Sequence, residues 1–346
     1  MKRKIKWGVI GSGGIARRRT IPEGFVPARN AQLMAVWGGN TETNQEVAQQ
    51  FEAQAAESLG ALLASDIEAV YVASPVAAHF PQVQACAQAG KHVLCEKPLG
   101  LTVEEAEAMA ATCKAAGVQL GTAFMMRYHS QHRAAARLIQ EGRIGQPVFA
   151  RAQLSCWYPP MAKAWRQNPE LGGGGSLIDM GSHCIDLLEM FFGPVLEVSC
   201  FTNRTIHSYS SEDSAVALLK FANGALGSVD TFFCIPDDSS RNVLELYGSK
   251  GSITASGTIG QGSLGEMFAR LESTPREYEA QQSRKLGEAL RISPEPVNMY
   301  RAEIEAFSES ILKGEPQDGA EIGVRNQRII EACYEAARTG RSVQIK

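Results

Sequence analysis

The sequence has no run of about 18 apolar residues, no cysteine pair at metal or redox spacing and no excess of one charge. The first absence leaves no segment to cross a membrane as a helix. The second concerns the eight cysteines at 86, 95, 113, 156, 184, 200, 234 and 333. None forms CxxC or Cys-His zinc spacing, so they read as reduced, mostly core residues, and no metal site is expected. Cys95 and Cys184 adjoin the motifs described below, but no neighbouring base is specified to activate either thiol. The third absence is the balance of 34 basic against 37 acidic residues, net −3. It gives no reason to expect a nucleic-acid partner. The basic start, residues 1–6, is followed by an apolar stretch broken by Gly8, Gly11, Gly13 and Gly14. Arg17, Arg18 and Arg19 run into Pro22, Glu23 and Gly24, where a twin-arginine signal needs an apolar region. The mature chain is therefore expected to start at or near Met1, in the cytoplasm.

What is present is enough chain for about two domains: 346 residues, 44% hydrophobic, with 33 glycines in clusters. Residues 5–10 alternate and enter a glycine turn, which reads as a strand and a loop. Further strands are expected at 32–37, 69–73, 92–95 and 119–124, with helices at 41–51, 58–64 and 77–89. Thr102 and Glu105 have capping-box spacing and open a helix that ends near Gly117. This alternation with short connections predicts an α/β fold for residues 1–123, a doubly wound parallel sheet covered on both faces. Beyond it the pattern changes to helices at 130–141 and 176–192 and strands without helices between them. Asn223-Gly224 and Gly248-Ser-Lys-Gly251 mark two hairpins. Residues 124–346 thus read as an antiparallel or mixed sheet with a few helices, closed by helices at 299–313 and 324–339. Residues 257–297, polar and with three prolines, read as the least ordered stretch.

Three clusters carry chemistry. Gly11-Ser12-Gly13-Gly14-Ile15-Ala16 is G-x-G-x-x-A after a strand. Gly11 allows the tight turn, Gly13 admits backbone to a pyrophosphate, and Ala16 lets the next helix pack close. The N–H groups at that helix start suit phosphates. A dinucleotide cofactor, NAD(P), follows from motif and context together. The second strand ends in Trp37-Gly38-Gly39-Asn40, without the carboxylate that would hold the ribose 2′-OH of NAD. That favours NADP(H) over NAD(H). Arg17, Arg18 and Arg19 either add charge there or lie solvated on the helix surface. Next, the strand at 92–95 runs into Glu96-Lys97-Pro98. A lysine at that strand end points into the crevice where such sheets bind ligands, though taken alone a strand-end lysine is more often a solvated surface residue. Last, Asp179 and His183 are four apart, on one face of a helix. A carboxylate beside an imidazole fixes its tautomer and makes a general acid/base. A structural helix pair, or two metal ligands lacking a third, stay open as alternatives.

Taken together, Gly11 to Ala16, Ala73-Ser74-Pro75-x-x-x-His79, residues 89–99 ending in Glu96-Lys97-Pro98-Leu99, Glu141-Gly-Arg-Ile-Gly-x-Pro147, and Gly173-Gly-x-Ser-Leu-x-Asp179-x-Gly-x-His183-x-x-Asp186 resemble the Gfo/Idh/MocA oxidoreductase family over essentially the whole chain. The resemblance implies an N-terminal Rossmann NAD(P)-binding domain at 1–123. At 124–346 it implies a C-terminal substrate-binding domain with a large open, mostly antiparallel sheet, often the homodimer or homotetramer contact. It implies hydride transfer between nicotinamide and a sugar, polyol or related hydroxy/keto compound. Lys97 would position the nicotinamide and polarise the substrate oxygen. Asp179 and His183 would bind the hydroxyls, with His183 moving the proton. Ser74, Pro75, His79, Glu96, Trp165 and Arg166 would stand on the cofactor side with Gly39 and Asn40, and Tyr158 would line the substrate pocket. Val76 departs from the Asn common after the Pro of this turn. The stretch around 165–175 is most similar to the 1,5-anhydro-fructose reductase branch. A redox-neutral nicotinamide-dependent glycosidase or epimerase, and a non-catalytic NAD(P)-binding sensor, are the alternatives.

Overall fold

Short apolar runs bounded by turns become six parallel strands: β1 (Ile5–Ile10), β2 (Ala31–Trp37), β3 (Gln54–Ala55), β4 (Ala69–Val72), β5 (His92–Glu96) and β6 (Leu120–Ala123). They lie in the order β3-β2-β1-β4-β5-β6 in the computed structural model, which describes residues 3–272 and 287–346. Both faces are covered, which explains the unbroken apolar run of β4. Val70, Val72, Val93 and Cys95 pack on one side, and Trp7, Val9, Tyr71 and Leu94 on the other. The crossovers include α1 (Thr41–Gln50), α2 (Leu59–Ala64), α3 (His79–Gln88) and α4 (Val103–Ala115). Thr102 caps α4 by accepting from Glu105 N at 3.2 Å, while the Glu105 carboxylate takes Leu101 N, one residue earlier than a capping box requires. The strand order reverses between β1 and β4, so the ends of β1, β4 and β5 bring Gly11, Ser74 and Lys97 to one edge.

After α5 (Ser130–Gln140) the described residues build a nine-stranded mixed sheet. Its strands are β7 (Pro147–Ser155), β8 (Val195–Asn203), β9 (Ser214–Phe221), β10 (Leu226–Phe232), β11 (Val243–Gly248), β12 (Gly251–Ser256), β13 (Glu266–Leu271), β14 (Leu290–Arg291) and β15 (Val343–Gln344). Both hairpins form where the turn residues place them: β9 pairs β10 around Asn223-Gly224, and β11 pairs β12 around Ser249-Lys250. Among the described strands of this sheet, only β7 and β10 run parallel. α6 (Pro169–Gly172) is a single turn; α7 (Ser182–Phe192) packs against β7. The closing helices α8 (Met299–Lys313) and α9 (Gly319–Thr339) touch the first sheet. Trp7 Nε1 donates to Ser308 Oγ at 3.1 Å, fixing α8 beside β1.

Three sequence expectations change. The helix after the glycine loop is wide, with Val26 N bonding Ile21 O five residues back; Pro22, which has no N–H to donate, lies inside it. The helix expected from 176 opens with a wide turn, Leu177–Gly181, before the α-helical spacing of α7. Within 257–297, β13 pairs β12 over six residues, despite the polar composition; residues 273–286 of that stretch lie outside the described residues.

Candidate active site

A cavity of about 700 Å³ runs along the strand-end edge of the first sheet. Gly14, Ile15 and Arg18 line one end, and Lys97, Asp179 and His183 line another part of the same space. The glycine loop fits a dinucleotide. Gly11 has φ +86°, and a Cβ there would lie 2.5 Å from Ser74 N, so the loop can sit against the end of β4 only with glycine. A Cβ on Gly13 would meet nothing within 4 Å, so that backbone faces open space. Ser12 donates its hydroxyl proton to Asn44 Oδ1 at 2.6 Å, so that O–H is not free for a phosphate. Ala16 is buried beneath the loop. Of the three arginines, Arg17 pairs with Glu46, and Arg19 pairs with Glu23 and donates to Gln261 O. Arg18 is exposed at the cavity and has no ion pair among the described residues.

The Ser74 and Lys97 turns are locked together by His79. Its Nε2 lies 2.9 Å from Ser74 O and its Nδ1 3.1 Å from Pro98 O. Burial lowers its pKa. Glu96 is likewise turned inward: it accepts from the Tyr71 hydroxyl and from Lys97 N, and burial raises its pKa. Both residues border the cavity, yet their polar atoms are committed to shaping the turn.

Lys97 Nζ donates to Asp179 O at 2.6 Å and to Asp179 Oδ1 at 2.8 Å. Arg166 Nε lies 3.0 Å from the same Oδ1, and its guanidinium stacks 4.0 Å over Trp165. Burial would raise the Asp179 carboxyl, but Arg166 and Lys97 outweigh it and hold it far below the usual carboxylate range. This corrects the pairing read from spacing: the Asp179 carboxylate serves two cations, and His183 Nδ1 has no hydrogen-bond partner among the described residues. Burial, then the Lys97 cation, pushes the His183 pKa well below its ordinary value, against the pull of Asp179. A buried, neutral imidazole thus faces a shared ion triad.

The structure brings Ser74, His79, Glu96, Lys97, Tyr158, Trp165, Arg166, Asp179 and His183 to one cavity. Pro75, Gly39 and Asn40 do not line it; Asn40 caps α1 by accepting from Thr43 N at 2.8 Å. Cys95 and Cys184 are buried, and burial raises both thiols, so neither is an activated nucleophile. Sequence reading missed Cys156, Asp237, Asn242 and Tyr300, which also line the space. Cys156 directly follows the end of β7. Tyr300 arrives on α8 from far along the chain and had none.

Two family descriptions match the chain: an oxidoreductase family with an NAD-binding Rossmann fold over residues 5–124, and the GFO/IDH/MocA C-terminal domain over 132–254. A 1,5-anhydro-D-fructose reductase of Ensifer adhaerens is 29% identical over 99% of this chain and 98% of the relative. A D-xylose 1-dehydrogenase (NADP(+)) of Haloferax volcanii is 30% identical over 99% of this chain and 100% of the relative. Among solved structures, an aldose-aldose oxidoreductase from Caulobacter crescentus, complexed with glycerol, is 28% identical. It superposes with a TM-score of 0.87 over 99% of this chain and 100% of that one. Architecture, the glycine loop and these likenesses agree: the chain is an enzyme of the GFO/IDH/MocA oxidoreductase family, with an NAD-binding Rossmann domain.

Proposed function

We propose that this enzyme interconverts a hydroxyl and a carbonyl on a sugar, polyol or related compound, using residues 1–123 for NAD(P) and 124–346 for substrate. The His183 imidazole beside the Lys97–Asp179–Arg166 triad, its Nδ1 without a hydrogen-bond partner among the described residues, carries this reading. The loop from Gly11 to Ala16 and the Ser74 turn would hold the dinucleotide, with Trp165 and Arg166 on its nicotinamide side. When bound, NAD(P) supplies or accepts the hydride. An ammonium has three donors, so Lys97 keeps one N–H for the substrate oxygen after its two bonds to Asp179. Asp179 stays ionised and fixes the direction of that ammonium. His183, held neutral, accepts the hydroxyl proton in oxidation and returns it in reduction. Tyr158, its ring tilted against Phe233 with centroids 4.9 Å apart, would close the substrate side.

The missing carboxylate after β2 and the exposed Arg18 favour NADP(H). The eight free cysteines fit a reducing, cytoplasmic setting. The apolar side chains exposed on the second sheet, Phe201, Leu218 and Leu226 among the described residues, fit a homodimer or homotetramer. Fluorescence titration with NADPH and NADH, followed by a screen of sugars and polyols, tests the reading. Wild-type turnover of a hydroxyl substrate is expected, falling at least ~100-fold in Lys97→Met. Undiminished turnover by Lys97→Met across the panel would overturn it.

A further inference from the structure

Four glycines, Gly172 to Gly175, precede the helix bearing Asp179 and His183, and none of them lines the cavity. Two are explained by other parts of the chain. A Cβ on Gly174 would collide with the Tyr334 hydroxyl of α9, and one on Gly175 with the carbonyl of Glu212. Glu212 lies in the connection between β8 and β9. Its Oε2 accepts from Gly175 N at 2.8 Å, and its Oε1 accepts from Leu177 N at 3.0 Å and from the Tyr334 hydroxyl at 2.9 Å. Its backbone carbonyl accepts from Ser176 N at 3.1 Å. Three successive N–H groups at the helix start therefore end on one residue. A carboxylate at a helix N-terminus also meets the favourable end of the helix dipole.

The same connection reaches the other half of the ion pair. Ser210 Oγ and Ser211 N both donate to Gln167 O, at 3.0 and 3.4 Å, one residue beyond Arg166. Tyr209 Oη donates to Tyr158 O at 3.1 Å. Residues 209–212 thus touch three segments that carry Tyr158, Arg166 and Asp179, while lining none of the cavity themselves. The Arg166–Asp179 contact at 3.0 Å has both its ends moored to this one stretch.

We propose that Glu212, seated among the glycines by Tyr334, is a positioning residue for hydride transfer that sets where Asp179 stands against Lys97 and Arg166. The proposal rests on the roles given above to Lys97, Asp179 and His183. Glutamine at 212 has one acceptor oxygen in place of two, so its amide would face Gly175 N–H or Leu177 N–H donor to donor. The wide first turn would then loosen and Asp179 would drift from its cations. Amide exchange tests the seat and kinetics tests its consequence. In Glu212→Gln, exchange across 174–183 should rise about tenfold while β1 and β4 keep their protection. The same variant should lose about tenfold in kcat, with the Kd for NADPH within about twofold of wild type. Glu212→Asp should recover part of the loss. Tyr334→Phe, which removes a single donor, should move both readouts by about threefold and carries the test if Glu212→Gln fails to fold.

Unchanged exchange at 174–183, or an unchanged kcat in both variants, would overturn the proposal. So would faster exchange throughout the chain with cofactor affinity lost in step, since that marks general destabilisation. If the wild type turned over no hydroxyl or carbonyl substrate, the functional reading would fail by itself. Exchange would still decide whether Glu212 fixes the Asp179 turn.

Discussion

At the scale of single residues, the site turns on one carboxylate shared by two cations. Asp179, Lys97 and His183 were legible as candidates because of their motifs, but their partnership was not. A separation of four predicts Asp179 beside His183, whereas Lys97 and Arg166 arrive from other segments and claim the carboxylate. Asp179→Asn should strand both cations and remove the one group that raises the His183 pKa. We expect kcat to fall at least ~100-fold, read by steady-state kinetics at saturating cofactor. The His183 environment also sets a pH expectation. A pKa lowered by burial and by Lys97 keeps the imidazole in its base form at and below pH 6.5. The kcat/KM for oxidation should therefore stay level from pH 8 through about 6.5 and fall only at lower pH. A limb assignable to His183 centred above 6.5 would contradict that environment, and His183→Asn should abolish the limb together with most of the turnover.

At the scale of elements, hydrophobic period and turn residues were sufficient for nearly every strand of the first sheet and for both hairpins of the second. The wide turns at 16–25 and 177–181 were not legible. The first depends on a proline within the helix, the second on a seat built by Glu212 and Tyr334 from far along the chain. β13 escaped because its partner β12 supplies the pairing that its mixed composition does not advertise. The glycine loop was legible because its requirement is local. Gly11 combines φ +86° with an approach of 2.5 Å between a would-be Cβ and Ser74 N, which lies on backbone that cannot swing aside. Gly11→Ala should cost about 1–3 kcal/mol in strain and push the loop away from β4. The expected result is a lower Tm and a Kd for NAD(P)H raised at least ~10-fold, measured by fluorescence titration. Gly13→Ala has room for its Cβ in the protein alone, so its Tm should hold while cofactor affinity falls.

At the scale of the whole molecule, the described residues cover one face of the second sheet and leave the other bare. α7 and α9 pack on β7 and β8, and strand alternation does the rest. In β9, Ala215, Ala217, Leu219 and Phe221 turn inward, while Val216 and Leu218 face out. Register extends the outward row across the sheet, from Lys220 to Leu226, Phe149 and Tyr247. Phe201 is 77% exposed, Leu218 56% and Leu226 55%. Alternation made these residues legible as one face, but only the nine-strand order shows them as a continuous surface, because β8, β9 and β10 meet there. Exposed apolar side chains grouped on one sheet face suit an interface, and the Arg151–Asp230 pair on the same face would supply a polar centre. We propose a second copy of the chain as its occupant, paired under two-fold symmetry. Sedimentation equilibrium at micromolar concentration should give a dimer or tetramer. Leu218→Glu, alone or with Phe201→Glu, would place unpaired charge in that proposed contact and should shift the species to monomer. Neither residue lines the cavity, so kcat per protomer should stay within about twofold of wild type if the interface serves assembly alone. A wild-type monomer at high concentration, or variants that assemble as before, would leave this face without the role given to it.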